Sequence, residues 1–264
     1  VDAITAHHRL QRRASSAPVA APRCRRRVDP ARRLPWMRGD DHQIRAEPAL
    51  DHIRDARLTP APERGKYDEA ASLQIQTLTE RKRVLGPDHP STLGSMSNFA
   101  NMLSSQGKYL EAEKINREVL VRRETVLGRE HPDTLTSMNN LALTLRNLGK
   151  HTEAETMHWQ TLTRSETALG RTHPETIRNM NNLALTLRNL GKHTEAETIQ
   201  RQTLALAETA LGRTHPNTLG HMNNLALILE KLGKHTEAET IQRQALAGRE
   251  TALGRTHPDT LISM

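Results

Sequence analysis

The chain has 264 residues, a formal net charge of +8 and a single cysteine. One cysteine excludes an intramolecular disulfide and a metal site built on two thiolates. No apolar run approaches the roughly 18 residues needed to span a bilayer, and the start of the chain lacks the apolar stretch of a secretory signal, so we expect a cytoplasmic protein.

Residue usage changes near Gly65 and divides the chain into two regions. Residues 1–64 contain 14 arginines, no lysine and eight acidic residues, which gives them +6 of the net +8. Arg25, Arg26 and Arg27 form a cluster there, and clustered guanidinium groups attract phosphates, so nucleic-acid binding is one hypothesis for this region. The region lacks the apolar periodicity that offsets ordering entropy, which predicts a disordered Arg/Pro-rich segment.

Residues 65–264 form a tandem array with a period of 42 residues. The dipeptide Gly-Lys keeps this interval from Gly65 to Gly233. The dipeptide His-Pro keeps it at His89-Pro90, His131-Pro132, His173-Pro174, His215-Pro216 and His257-Pro258. A fixed period of this size is typical of a solenoid in which each unit contacts only its neighbours, so function is expected on an extended surface.

The first half of the unit 132–173 predicts one amphipathic helix, which we call helix A. Apolar residues recur at three- and four-residue steps from Pro132 to about Leu148. His131 precedes a proline and therefore avoids the α region, while the proline suits the first helical turn. Gly149 is able to adopt the left-handed conformation that ends a helix.

The second half of the unit predicts helix B. Thr152 and Glu155 have the spacing of a capping box, so helix B is expected to start there and to end at Gly170. Small residues at matching places would let the two helices of each pair approach closely. These residues are Ala142, Ala154, Ala184, Ala196, Ala226 and Ala238.

The whole array predicts four helix pairs between about Pro90 and Leu253. A lone helix B near residues 68–85 precedes them, and a truncated helix A from Pro258 to Met264 follows. One isolated pair buries about a dozen apolar groups at about 2 kcal/mol each, which is in total less than an ordering cost of roughly 1.5 kcal/mol per residue over the 42 residues of the repeat. Stacking against neighbouring pairs therefore has to supply the difference.

The paired amphipathic helices, with Gly149 and Ala154, resemble a tetratricopeptide repeat. The longer motif Leu-Gly-x-x-His-Pro-x-Thr-Leu, with Met-Asn-Asn-Leu-Ala after it, resembles the 42-residue repeats of kinesin light chains and of fungal and bacterial tandem-repeat proteins. The resemblance covers residues 65–264. It implies an all-α, right-handed α-α superhelix that acts as a non-catalytic scaffold for a protein or peptide partner.

In that family the helix A faces line a concave groove for a peptide, and an asparagine there hydrogen-bonds the peptide backbone. An amide offers both a donor and an acceptor for this purpose. Arginines in the groove favour an acidic ligand, although Glu230 and Ser104 interrupt the positive lining. The alternative is that the asparagines bond adjacent helices and only hold the array together. The predicted groove residues are Asn98, Asn139, Asn140, Asn181, Asn182, Asn223, Asn224, Leu143, Leu185, Leu227, Arg146, Arg178 and Arg188.

The sequence contains no candidate catalytic residues. Gly149-Lys150 resembles part of a phosphate loop, but no Ser or Thr follows the lysine. The sequence has no serine elbow and no cysteine beside a histidine. The spacing of the histidines is explained by capping and packing, and Trp159 is interpreted as a packing residue. We therefore expect no enzyme activity, no cofactor, no metal and no small-molecule substrate.

One further function stays open. Because the chain begins with Val1 instead of Met, it is interpreted as either a fragment or an imperfect gene model whose first 60 residues were never selected to fold. If it is a fragment, the array would be the sensor or oligomerisation arm of a larger signalling NTPase. Its nucleotide-binding module would lie upstream. In either case the expected partner is a protein or peptide, with no membrane. Nucleic-acid binding through the Arg-rich segment is the least favoured of the three hypotheses.

Overall fold

The computed structural model describes residues 64–254, and every regular element in this range is an α-helix. The predicted disordered segment and truncated last helix lie outside the described residues. None of the described helices combines the length and the apolar character needed to cross a membrane. The helices are α1 Arg64–Leu85, α2 Pro90–Ser105, α3 Tyr109–Val126, α4 Pro132–Asn147, α5 His151–Leu169, α6 Pro174–Asn189, α7 His193–Leu211, α8 Pro216–Lys231 and α9 His235–Leu253.

Helices α2 to α9 form the four predicted pairs, in which α2, α4, α6 and α8 are A helices and α3, α5, α7 and α9 are B helices. The B helices α3, α5 and α7 each pack against the A helix before them and the A helix after them, and α9 packs against α8. The predicted close approach within pairs is confirmed, because the small residues between the helices are almost fully buried. These are Ala142, Ala154, Ala184, Ala196, Ala226 and Ala238.

The His-Pro motif starts every A helix in the same way. His131 has extended backbone, with φ −65° and ψ 138°, because the proline after it disfavours the α region. Its Nδ1 accepts a hydrogen bond of 3.1 Å from the backbone N–H of Asp133. The same bond of 3.2 Å is formed at His89, His173 and His215. The histidine thus takes the place of the Ser, Thr, Asp or Asn that usually caps a helix.

Glycines end the helices as predicted. Gly149 has φ +76°, and this left-handed conformation lets the N–H of Lys150 bond the Leu145 carbonyl at 2.9 Å. Gly170 has φ +88° and ends the B helix of the same pair. Residues with a Cβ rarely adopt such angles, so the Gly-Lys and Leu-Gly elements of the period are fixed by backbone geometry.

The predicted capping box of Thr152 and Glu155 is wrong. Helix α5 begins at His151, with Lys150 as the N-cap and no side-chain hydrogen bond to the cap. Thr152 therefore lies within the first turn rather than before it. The Glu155 carboxylate instead accepts a hydrogen bond of 2.7 Å from Nζ of Lys192 in the next pair.

The lysines of the Gly-Lys turns connect successive pairs. Besides the Lys192 bond, Lys150 binds Glu113 at 2.9 Å and Lys234 binds Glu197 at 2.8 Å. Burial alone raises the pKa of Glu113, but the hydrogen bonds and charges of Lys150 and Arg117 outweigh this and hold it below its ordinary value. The glutamate is therefore ionised at neutral pH, and the bond adds to the apolar contact between pairs.

Candidate functional site

The predicted groove residues all lie on the A helices, and their exposure divides them into two sets. Asn139 and Asn182 are buried, with 1% and 9% of their surface exposed. The others reach solvent, and we call the surface that they form the A-helix face. Its exposed members are Asn98, Arg178 and Leu227. Its half-buried members are Asn140, Asn181, Asn223, Asn224, Leu143, Leu185, Arg146 and Arg188.

Two asparagine pairs join successive A helices. Asn182 Nδ2 donates to Asn139 Oδ1 at 2.9 Å between α6 and α4. Asn224 Nδ2 donates to Asn181 Oδ1, also at 2.9 Å, between α8 and α6. Each pair spans one repeat plus one residue. The buried pair therefore serves the contact between repeats, and its amides keep the A helices in register.

Asn181 is the centre of a larger polar network. Its Oδ1 also accepts a hydrogen bond of 3.1 Å from Gln200 Nε2 and lies 3.0 Å from His221 Nδ1. Burial, and then the charge of His215, lowers the pKa of His221 to about 4. His221 is therefore neutral at pH 7, and its Nδ1 carries the proton because the amide oxygen only accepts.

The asparagines nearer to solvent differ in whether their side-chain amides form hydrogen bonds to other residues. Asn223, with its amide oxygen turned toward α9, accepts hydrogen bonds from both terminal nitrogens of Arg249 at 2.9 and 2.6 Å. Asn98 and Asn140 form no side-chain hydrogen bond to another residue within 64–254. The amides of Asn98 and Asn140 are thus the ones whose donors and acceptors stay available on the A-helix face.

Arg146 and Arg188 occupy the same position in consecutive repeats, and within residues 64–254 neither forms an ion pair. Nη1 of Arg146 is buried and has no hydrogen-bond partner there. Burial lowers the pKa of Arg146, and the positive charge of Arg188 lowers it further. The two guanidinium groups are therefore partly desolvated cations that repel each other, an arrangement that an anion relieves.

Arg178 differs from this pair because it has a counterion. Its guanidinium binds the carboxylate of Glu175, one turn earlier on the same helix. Both side chains are exposed, so this ion pair contributes little to stability. Of the three predicted arginines, the structure therefore groups Arg146 with Arg188 and leaves Arg178 partly neutralised.

A buried histidine lies near Arg146. His158 is fully buried on α5, and neither ring nitrogen has a hydrogen-bond partner among the described residues. Burial, and then the charge of Arg146, lowers its pKa to about 3, so the ring is neutral. Within residues 64–254, no group of three or more His, Cys, Asp or Glu could hold a metal ion.

An apolar row runs beside the arginines. Leu143 and Leu185 are half-buried, and Leu227 is 42% exposed. Leu227 borders an open cleft of about 480 Å³ at the C-terminal ends of α6 and α8. The other residues around the cleft are Arg188, Asn189, His193, Glu230 and Lys231.

The structure adds His193 to the predicted residues of this surface. His193 begins a B helix, so the periodicity of the A helices gives no signal for it. Glu230, which is expected to interrupt the positive lining, borders the same cleft as Arg188. The cleft therefore presents charges of both signs around one exposed leucine.

A family model described as tetratricopeptide repeat matches the chain in five overlapping stretches. They are residues 63–120, 94–167, 133–209, 175–251 and 217–264. No curated protein matches the chain significantly.

Solved structures with similar repeats support the same fold. One of them is a crystal structure from Podosopora anserina, described as a kinesin light chain with nearly identical TPR-like repeats. Its sequence is 26% identical to this chain and its TM-score is 0.61, and the match covers 72% of this chain and 90% of that chain. A variant of the same protein gives a TM-score of 0.63 at 26% identity, covering 71% and 89%. BtubC (BKLC) from P. vanneervenii, at 22% identity, shares the fold with a TM-score of 0.64, covering 75% and 81%.

Proposed function

The chain belongs to the tetratricopeptide repeat family, and from this premise we propose that its A-helix face binds an acidic peptide segment of a protein partner. Members of this family generally act as non-catalytic scaffolds for protein–protein interaction. The observation that supports an acidic ligand is the pair Arg146 and Arg188, which has no anionic partner within residues 64–254.

A carboxylate fits this pair better than a neutral group does. It accepts bidentate hydrogen bonds from a guanidinium, and its charge offsets the repulsion between Arg146 and Arg188. Because both arginines are half-buried, the interaction is screened less by water and salt than an exposed ion pair would be. Arg146 also gains a partner for its buried Nη1.

The neighbouring residues indicate what accompanies the carboxylate. Leu143, Leu185 and Leu227 lie in matching positions of successive A helices and offer apolar contact to an aliphatic side chain of the ligand. Asn98 and Asn140 offer amides for the backbone of the ligand. We therefore expect a short extended segment with at least one acidic and one large apolar residue.

Peptide binding to the full chain tests this function. An array of short peptides that combine Leu with Glu or Asp is compared with an otherwise identical array that has Gln or Asn in place of the acids. We expect the acidic members to bind at least about tenfold more tightly, and we expect their affinity to fall with added salt.

Arginine variants assign the binding to the site. The double variant Arg146→Ala with Arg188→Ala is expected to lower affinity for the acidic peptides at least about tenfold. Arg178→Ala is the matched control, because this arginine is exposed and paired with Glu175. Equal binding of acidic and amide peptides, or full binding by the double variant, would show that the arginine pair does not select the ligand.

A further inference from the structure

A second cleft lies on the side of the B helices, between α7 and α9. It has a volume of about 390 Å³ and is lined by apolar side chains from three helices. Met222 and Leu225 of α8 lie at its base, with Leu204 of α7 and Ile241 of α9 beside them. Leu204 and Ile241 are only half-buried, so the cleft exposes apolar surface.

Charged side chains surround this apolar surface. Arg201 binds the Glu237 carboxylate at 2.6 Å, and Arg213 binds Glu208 at 3.2 Å. All four residues line the cleft. The cleft is thus an apolar site with guanidinium groups and carboxylates around it.

The corresponding place one repeat earlier is closed. Arg201 corresponds to Trp159 through the 42-residue period, and Trp159 is only 4% exposed. Leu162 and Ile199, which correspond to Leu204 and Ile241, are 1% and 0% exposed. The apolar side chains of the two places are the same in kind. Beside them, Trp159 stands where the open cleft has Arg201, and Thr163 stands where it has Ala205.

The contact between the B helices α3 and α5, which we call the first junction, shows that an arginine at this position goes with partly exposed apolar side chains. Arg117 occupies it and binds Glu153 at 3.0 Å, as Arg201 binds Glu237. Leu120 and Met157 beside it are half-buried, although a further repeat follows there. Partial exposure therefore accompanies the arginine, and complete burial accompanies the tryptophan.

We propose that the cleft between α7 and α9 is a second binding site, which takes a tryptophan side chain presented by a protein partner. The chain itself places an indole at the corresponding position of the preceding junction, so the dimensions of the site suit this group. The guanidinium groups of Arg201 and Arg213 favour an aromatic over an aliphatic occupant, because they stack on the face of an indole. Glu208 and Glu237 offer acceptors for the indole N–H. This site is independent of the A-helix face.

Titration of the full chain with N-acetyl-tryptophanamide tests the site. The readout is the NMR signals of the methyl groups of Met222 and Ile241. We expect saturable shifts at these two methyls, and binding roughly fivefold tighter than that of N-acetyl-leucinamide. Equal binding of the two amides would overturn the assignment to tryptophan. Tighter binding of free tryptophan than of its blocked amide would assign the cleft to the amino acid and also overturn the proposal.

The repeat offers a matched pair of variants. Arg201→Trp supplies the occupant from the chain itself and should abolish the shifts, whereas Arg243→Trp, one repeat later and exposed, should leave them unchanged. Ile241→Ala provides a milder variant, with an expected loss of affinity of severalfold. Unchanged binding by Arg201→Trp and by Ile241→Ala would overturn the proposal. Neither change should affect the acidic peptides, which separates this result from that of the A-helix face.

Discussion

At the scale of single residues, His158 links stability to pH. Its pKa is about 3 in the folded chain and ordinarily 6.5, so between these values the unfolded chain binds a proton that the folded chain excludes. The free energy of unfolding is therefore unaffected by His158 above about pH 6.5. As the pH decreases from 6.5 toward 3, this group lowers it by up to about 1.4 kcal/mol per pH unit. His221, with a pKa of about 4, acts in the same direction.

The variant His158→Gln is expected to reduce this loss, because the corresponding Gln200 is accommodated in the next repeat with bonds to Asn181 and the His221 carbonyl. Urea unfolding at several values between pH 7.5 and pH 4.5 measures the slope. His235→Gln is the control, since His235 is exposed at the start of α9. An identical pH slope in wild type and His158→Gln would contradict the assigned cause.

The histidine caps make a second residue-level prediction. His131→Ala removes the acceptor for the N–H of Asp133 and is expected to lower the free energy of unfolding by about 1 kcal/mol. His131→Asn keeps a capping oxygen and should retain most of the stability. Denaturant titration at pH 7.5 compares the variants. If alanine and asparagine destabilise equally, the cap is not the reason for the recurring histidine.

At the scale of helices, the burial of apolar side chains between successive B helices differs with the residue at the position shared by Arg117, Trp159 and Arg201. Trp159→Arg would expose Leu162 and Ile199. It is expected to destabilise the chain by about 2 kcal/mol, because the loss of a buried aromatic residue is only partly offset by pairing of the new arginine with Glu195. Arg201→Trp should stabilise it by about 1 kcal/mol through burial of Leu204 and Ile241.

Chemical unfolding of these two variants gives the measurement. Opposite changes in the free energy of unfolding are expected, because one variant opens a junction and the other closes one. Changes of the same sign would show that the exposure of Leu204 and Ile241 has another origin.

At the scale of the whole molecule, the period predicts the four helix pairs because their boundaries depend on local chemistry. His131, Pro132 and Gly149 act within a few residues of their own position, so a sequence pattern is sufficient to place α4. The pairing of Asn139 with Asn182 is different, since it depends on how closely neighbouring A helices approach each other. Adjacent asparagines such as Asn139 and Asn140 therefore lie in different environments, although the sequence pattern alone assigns both to one groove.

The predicted cap at the start of helix B is wrong for a related reason. Thr152 and Glu155 have a spacing that suits a cap, but Glu155 binds Lys192 of the next pair, a contact at a distance that the spacing does not report. The hypothesis of a repeat arm in a larger signalling NTPase stays a prediction, which the complete open reading frame would test.

Binding of an acidic segment by the A helices around Arg146 and Arg188 is open to one direct measurement. Hydrogen–deuterium exchange of the full chain, with and without a saturating acidic peptide, tests it most directly. We expect slower exchange in α4 and α6 near these arginines, with little change in α5 and α7. Protection confined to the B helices, or no protection at saturation, would contradict binding of the acidic peptide at the A-helix face.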